Sequence, residues 1–116
     1  ESLRTLLVAM LTKERWYVKS AENGVQALAI LEEFRPQLIL LDLMMPQMDG
    51  FEFVSILREK DYGRSIPVVA ISAKDLTAED YEKLHGKVQD IYRKGAFSRD
   101  KLLEIIRQQV NKTLNR

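Results

Sequence analysis

Cysteine is absent from the 116 residues, which excludes disulfides and thiolate metal sites. Long apolar runs are absent as well. The longest, such as Leu6–Leu11, fall far short of the roughly 20 residues that a membrane-spanning helix needs, so no membrane insertion is expected. The sequence does not open on the charged, apolar and small-residue succession of a signal peptide, and a cytoplasmic domain is the expectation. Nor does one sign of charge dominate: 18 Lys and Arg are interspersed with 17 Asp and Glu, for a net charge of +1. Such a surface supplies no general field to steer the domain to nucleic acid or lipid. Arg107, Lys112 and Arg116 near the C-terminus read as charges complementing a helix dipole. Repeats, low-complexity tracts and linker-like stretches are missing too. The length suits one domain over residues 1–116, large enough for a single core without staples.

What is present is a hydrophobic period that switches repeatedly between helical and strand-like. Leu3, Leu6, Leu7, Met10 and Leu11 fall on one helical face, so Ser2 to about Lys13 is an amphipathic helix. Trp16 to Ser20 is a short aromatic and β-branched run and reads as a strand, broken by Asn23-Gly24. Ala27, Ile30, Leu31 and Phe34 line a second helix that Pro36 stops. Leu38–Leu41 is continuously apolar, as a strand covered on both faces must be. Phe53, Val54 and Leu57 give the next helix its buried stripe, after a loop holding Pro46 and Asp49-Gly50. Pro67 opens another buried strand that ends at Ser72. Thr77 and Asp80 have the spacing of a capping box at the start of a short helix ending near Gly86. Val88 to Arg93 is a more polar strand, suited to a sheet edge. Ser98 caps a last helix with Leu103, Ile106, Val110 and Leu114 on one face.

Helices and strands therefore alternate from beginning to end. That pattern specifies an α/β domain, an open, doubly wound parallel sheet with helices on both faces. The series opens on a helix with no strand before it, although a crossover helix exists to join two parallel strands. The expectation is a sheet whose N-terminal strand is missing from the sequence given.

In open parallel sheets, ligands sit beyond the carboxyl ends of the strands. Those ends carry Asp42, Ser72 and Lys94. A carboxylate after four buried apolar residues is costly to desolvate, by several kcal/mol, unless a cation or metal compensates it. Lys94 can supply that charge and Ser72 a hydroxyl. A carboxylate nucleophile, an ammonium and a hydroxyl on neighbouring strand ends make a phosphoryl-transfer pocket, in which the last two bind the oxygens that accumulate charge. His85, just before Gly86, reads as a favourable helix C-terminal charge rather than a phosphate carrier. Met44, Met45 and Met48 read as loop and core packing.

The run Leu40-Leu41-Asp42-Leu43-Met44-Met45-Pro46-Gln47-Met48-Asp49-Gly50 resembles the phosphorylation-site signature of response-regulator receiver domains. Asn23-Gly24 with Ala27-Leu28, and Ile66 to Ala73, are similar to the same family. The resemblance covers essentially the whole chain and implies a flavodoxin-like fold. By position it makes Asp42 the phospho-acceptor, Ser72 the hydroxyl that reorients on phosphorylation and Lys94 the phosphate-binding lysine. It implies Mg²⁺, with Asp42 and the Met44 backbone carbonyl among its ligands and an acidic pair carried on the missing strand. It also implies a phosphohistidine donor on a histidine kinase or phosphotransfer protein, and leaves dimerisation open. Arg93 to Ser98 looks like receivers fused to hybrid histidine kinases. The sequence departs from the family where Ile91 takes the place of the usual switch aromatic, with Tyr92 one position later, and where Gly95 replaces a proline.

Two other functions compete. One is a degenerate receiver, an interaction scaffold that is never phosphorylated. The other is an aspartyl phosphatase of the haloacid dehalogenase type, which requires a second Asp two residues past the nucleophile; Met44 stands there.

Overall fold

A computed structural model describes residues 2–45, 47–72, 75–93 and 98–114. Its elements run α1 (Ser2–Lys13), α2 (Gly24–Leu31), β1 (Ile39–Asp42), α3 (Gly50–Glu59), a 3-10 turn (Asp61–Gly63), β2 (Val68–Ser72), α4 (Ala78–Leu84), β3 (Asp90–Arg93) and α5 (Arg99–Leu114). The sheet is parallel throughout, in the order β1-β2-β3, with Asp42 opposite Ile71 and Ser72 opposite Arg93. β2 is central and buried along its whole length, which is why its sequence has no polar side before Ser72.

Alternation along the strands sends side chains into two apolar layers. Leu41, Val68 and Ala70 pack with Leu31 of α2, Phe53, Val54 and Leu57 of α3 and Leu84 of α4. Ile71 and Tyr92 pack on the opposite face with Leu102 and Ile106 of α5, alongside Leu7 and Leu11 of α1 and Trp16. This is the doubly wound architecture expected from the alternation of elements, with helices on both faces.

The caps explain where the helices start. The Asn23 side chain accepts from the Gln26 N–H and Asp49 from the Glu52 N–H. Thr77 and Asp80 form the reciprocal capping box, and the Ser98 hydroxyl accepts from the Lys101 N–H at 3.2 Å. Gly86, at φ +75°, takes the left-handed turn that follows α4.

Two elements differ from expectation. α2 ends at Leu31, well before Pro36, so Phe34 lies beyond the helix and only prolongs it by an N–H bond to the Ile30 carbonyl. More consequentially, among the described residues Trp16–Ser20 joins no ladder and the sheet has three strands. A strand is defined by its hydrogen-bonded neighbour, and β propensity alone does not supply one.

Tyr92 gives a test of the α5 layer. It is 4% exposed, its hydroxyl donates to the Ser98 carbonyl at 3.4 Å, and burial pushes its phenol above the ordinary value of 10.0. In the unfolded chain the phenol ionises first, so its contribution is complete below about pH 10 and is lost as pH rises through the folded value. Urea midpoints measured on either side of that pH should show a loss of stability at the higher value. Tyr92→Phe should lessen that loss. Tyr62, raised by its own desolvation and by Glu32, contributes to the same loss, and Tyr62→Phe separates the two.

Candidate functional site

The sheet ends at one rim where the strands deliver their last side chains. Asp42 closes β1 and is half-buried; Ser72 closes the neighbouring β2 and is fully buried. Their register sets Asp42 beside Ile71, one step before Ser72, so the carboxylate and the hydroxyl stand on adjacent strand ends. Ser72 is in turn opposite Arg93, the residue before Lys94. Lys94 and Pro46 lie outside the described residues. Arg93 itself points its charge at Asp75, with which it forms an ion pair and a hydrogen bond.

The loop after β1 is built around the carboxylate. The Met44 N–H donates to Asp42 Oδ1 at 3.0 Å, an Asx-type turn that fixes the side chain from its own backbone. The chain then folds back so that the Gly50 N–H donates to the Leu43 carbonyl at 3.1 Å. Gly50 is required by this closure. A Cβ there would stand 2.7 Å from Leu43 Cα and 3.0 Å from the Asp42 carbonyl oxygen. On the other side of the mouth, Met48 packs so tightly on Gly24 that a Cβ would meet its sulfur at 2.7 Å. Met44, two residues past Asp42, is exposed.

Asp42 opens on a cavity of about 740 Å³ that runs from this rim along the free side of β1. Ser72 does not line it. Among the described residues, no group of three or more His, Asp or Glu side chains is gathered to hold a metal. The Asp42 carboxylate alone supplies too few oxygens for the near-octahedral shell that Mg²⁺ demands. The Met44 N–H is engaged by Asp42.

Sequence reasoning located Asp42 and Ser72, and read Asn23-Gly24 as a strand break and as part of the family resemblance without giving Asn23 a role of its own. Asn23 caps α2 and lines the cavity with Asp42. The signal for it was available: an Asn directly before a helical apolar period.

The receiver-domain family profile, described as the response regulator receiver domain, matches residues 1–107. The chain belongs to that family. Among curated relatives, PleD of Caulobacter vibrioides, a response regulator, is 40% identical over 89 residues, which are 77% of this chain and 20% of PleD. PilG of Pseudomonas aeruginosa is 30% identical over 112 residues, covering 95% of this chain and 81% of PilG. The receiver therefore spans about a fifth of the length of PleD. Among solved structures, the receiver domain of a Pseudomonas aeruginosa sensor histidine kinase superposes with a TM-score of 0.80 at 28% identity, over 92% of this chain and 87% of that one. That structure contains a magnesium ion coordinated in its active-site cleft. A Francisella response-regulator receiver reaches a TM-score of 0.83 at 26% identity, over 97% of this chain and 90% of its own. The chain is thus a receiver domain of two-component signalling, on a flavodoxin-like α/β fold. No helix among the described residues is long and apolar enough to cross a membrane.

Proposed function

We propose that this receiver accepts a phosphoryl group on Asp42 from a phosphohistidine of a partner histidine kinase or phosphotransfer protein, in the cytoplasm. The observation that carries the reading is the placement of Asp42. It is a half-buried carboxylate at the carboxyl end of β1, with Oδ1 held by the Met44 N–H, at the position where the family signature has its acceptor. With Oδ1 occupied, Oδ2 is the oxygen that attacks phosphorus. The new bond is an acyl-phosphate P–O bond; the P–N bond to the donor imidazole breaks, and the imidazole leaves as the neutral ring once protonated. Ser72, ending the next strand, is the hydroxyl that would engage the phosphoryl oxygens, and Lys94 the cation that would neutralise them. The added charge is then read out as a changed protein-interaction surface around the last strands and helices.

Mg²⁺ belongs to this reading by likeness to the receiver with magnesium in its cleft. The described residues do not complete a site for it, so no step is routed through the metal. Ile91, half-buried where receivers carry a switch aromatic, favours the second reading of an unphosphorylated scaffold.

Incubation with acetyl phosphate and MgCl₂, read by intact mass, separates the two. The expected result is one phosphoryl adduct on the wild-type chain and none on Asp42→Asn. A folded protein that stays unlabelled, or an adduct that survives Asp42→Asn, would remove the acceptor role from Asp42.

A further inference from the structure

The carboxyl end of β3 is tied to the segment that leaves β2. Arg93 closes β3 and stands opposite Ser72, the last residue of β2. Ala70 and Ile91 pack in the layer that holds α3 and α4, so Ser72 and Arg93, each two residues further on, turn to that same face. There the Arg93 guanidinium forms an ion pair and a hydrogen bond with Asp75, three residues past Ser72. Beyond Asp75 the chain is anchored again, since Leu76 packs against the core and Thr77 caps α4. The pair therefore fixes a point midway between β2 and α4, close to the hydroxyl that has to meet the phosphoryl group.

We propose that Arg93 and Asp75 form a latch that holds the Ser72 strand end away from Asp42, so that both are positioning residues for phosphoryl transfer. The inference rests on the acceptor reading of Asp42. Its direction comes from the strand order. β2 lies between β1 and β3, so Asp42 and Arg93 are on opposite sides of Ser72. Ser72 is fully buried, whereas a phosphoryl group on half-buried Asp42 would stand at the rim. For the hydroxyl to reach the phosphoryl oxygens, the end of β2 must shift outward and toward β1. The ion pair pulls the following segment toward β3 and opposes that shift. Its strength is bounded by solvent. The Arg93 and Asp75 side chains are 52% and 83% exposed, and a pair so exposed shifts an equilibrium by roughly fivefold at most. A restraint of that size biases the strand end without locking it.

Initial rates of labelling by acetyl phosphate with MgCl₂, read by intact mass, test the latch in Asp75→Asn, Arg93→Gln and the double variant, with Asp42→Asn as the blank. The rate follows the fraction of chains whose strand end is free to close. The expected result is a rise of about 2–5-fold in each single variant and the same rise, not its square, in the double variant. Arg93→Lys, which keeps the charge, should stay within about twofold of wild type. Urea midpoints should stay close to wild type, so that a change in labelling is not a loss of fold. The sign at Arg93 separates the latch from a bare field effect. If the two residues acted only through their charge, Asp75→Asn would raise labelling and Arg93→Gln would lower it, because a cation next to Lys94 favours an incoming anion. That opposite pair of results overturns the proposal, as does a multiplicative double variant. A wild-type chain that stays folded and unlabelled removes the acceptor reading and the latch with it. A labelled wild type with unaltered variants removes the latch alone.

Discussion

Replacing Arg58 by methionine is expected to lower the free energy of unfolding by about 3–5 kcal/mol, measured by urea denaturation. Arg58 leaves the last turn of α3 and holds three backbone carbonyls that lie apart in sequence. Nε and Nη2 donate to the Lys87 carbonyl at 3.0 and 2.7 Å, and Nη1 donates to Gly63 and, at 2.8 Å, to Ile66. Hydrogen bonds from a charged donor contribute about 1.5–3 kcal/mol each, less here because the group is only half-buried and several share one side chain. Desolvation already pulls the guanidinium below its ordinary pKa, so the site holds an ion at some cost and offsets it through these carbonyls. Methionine keeps much of the stem and leaves all three carbonyls without their donor. Arg58→Lys should restore less than half of the loss, because an ammonium cannot present the planar fork. The damage should be local first. Lys87 sits in the turn that leads to Gln89, whose side chain and N–H both bond Val68 at the start of β2. Amide exchange should therefore accelerate around residues 86–90 before the rest of the domain. A loss under 1 kcal/mol would show that water replaces the clamp at no cost.

Arg58 also marks where legibility in the sequence ends. Periodicity exposed Phe53, Val54 and Leu57 as the buried stripe of α3, because a helix repeats its inner face every three or four residues. An arginine one place after that stripe looks like any solvated charge. Its partners are carbonyls five, eight and twenty-nine residues away, and a backbone carbonyl leaves no trace in composition. The caps at Thr77 and Ser98 were readable for the opposite reason, since their partners are three residues on. Deep burial in α5 falls on Leu102 rather than on Leu103, because the helix docks on Ile71 and Tyr92 and that docking selects the face. Asp42 and Ser72 were legible as strand ends because an uninterrupted apolar run has an unmistakable last residue. The strand expected at Trp16–Ser20 fails for a related cause: local sequence can state a preference for extended backbone, while pairing is a property of whatever lies alongside.

Gly50→Ala is expected to lower stability by about 2 kcal/mol and to slow phosphoryl transfer to Asp42 several-fold, whereas Gly24→Ala should leave both within error. Both glycines begin helices, both are buried, and a Cβ at either meets an atom at 2.7 Å. What differs is the obstacle. At Gly24 it is the Met48 side chain, an unbranched thioether that can turn away. At Gly50 it is the Cα of Leu43, together with the Asp42 carbonyl oxygen at 3.0 Å, and neither can move without moving the strand end. Alanine recovers up to ~1 kcal/mol of helix propensity at each position, which covers the cost at Gly24 but not an overpacking of about 1–3 kcal/mol against backbone. Because Leu43 also accepts the Gly50 N–H, relief of the clash pushes the loop away from β1. The Asp42 side chain is fixed through the Met44 N–H in that same loop, so its carboxylate loses its alignment as the loop shifts. Acetyl phosphate labelling rates, compared with urea midpoints for both variants, separate the two effects. Equal losses at Gly24 and Gly50 would show that the loop, rather than the strand end, gives way in both.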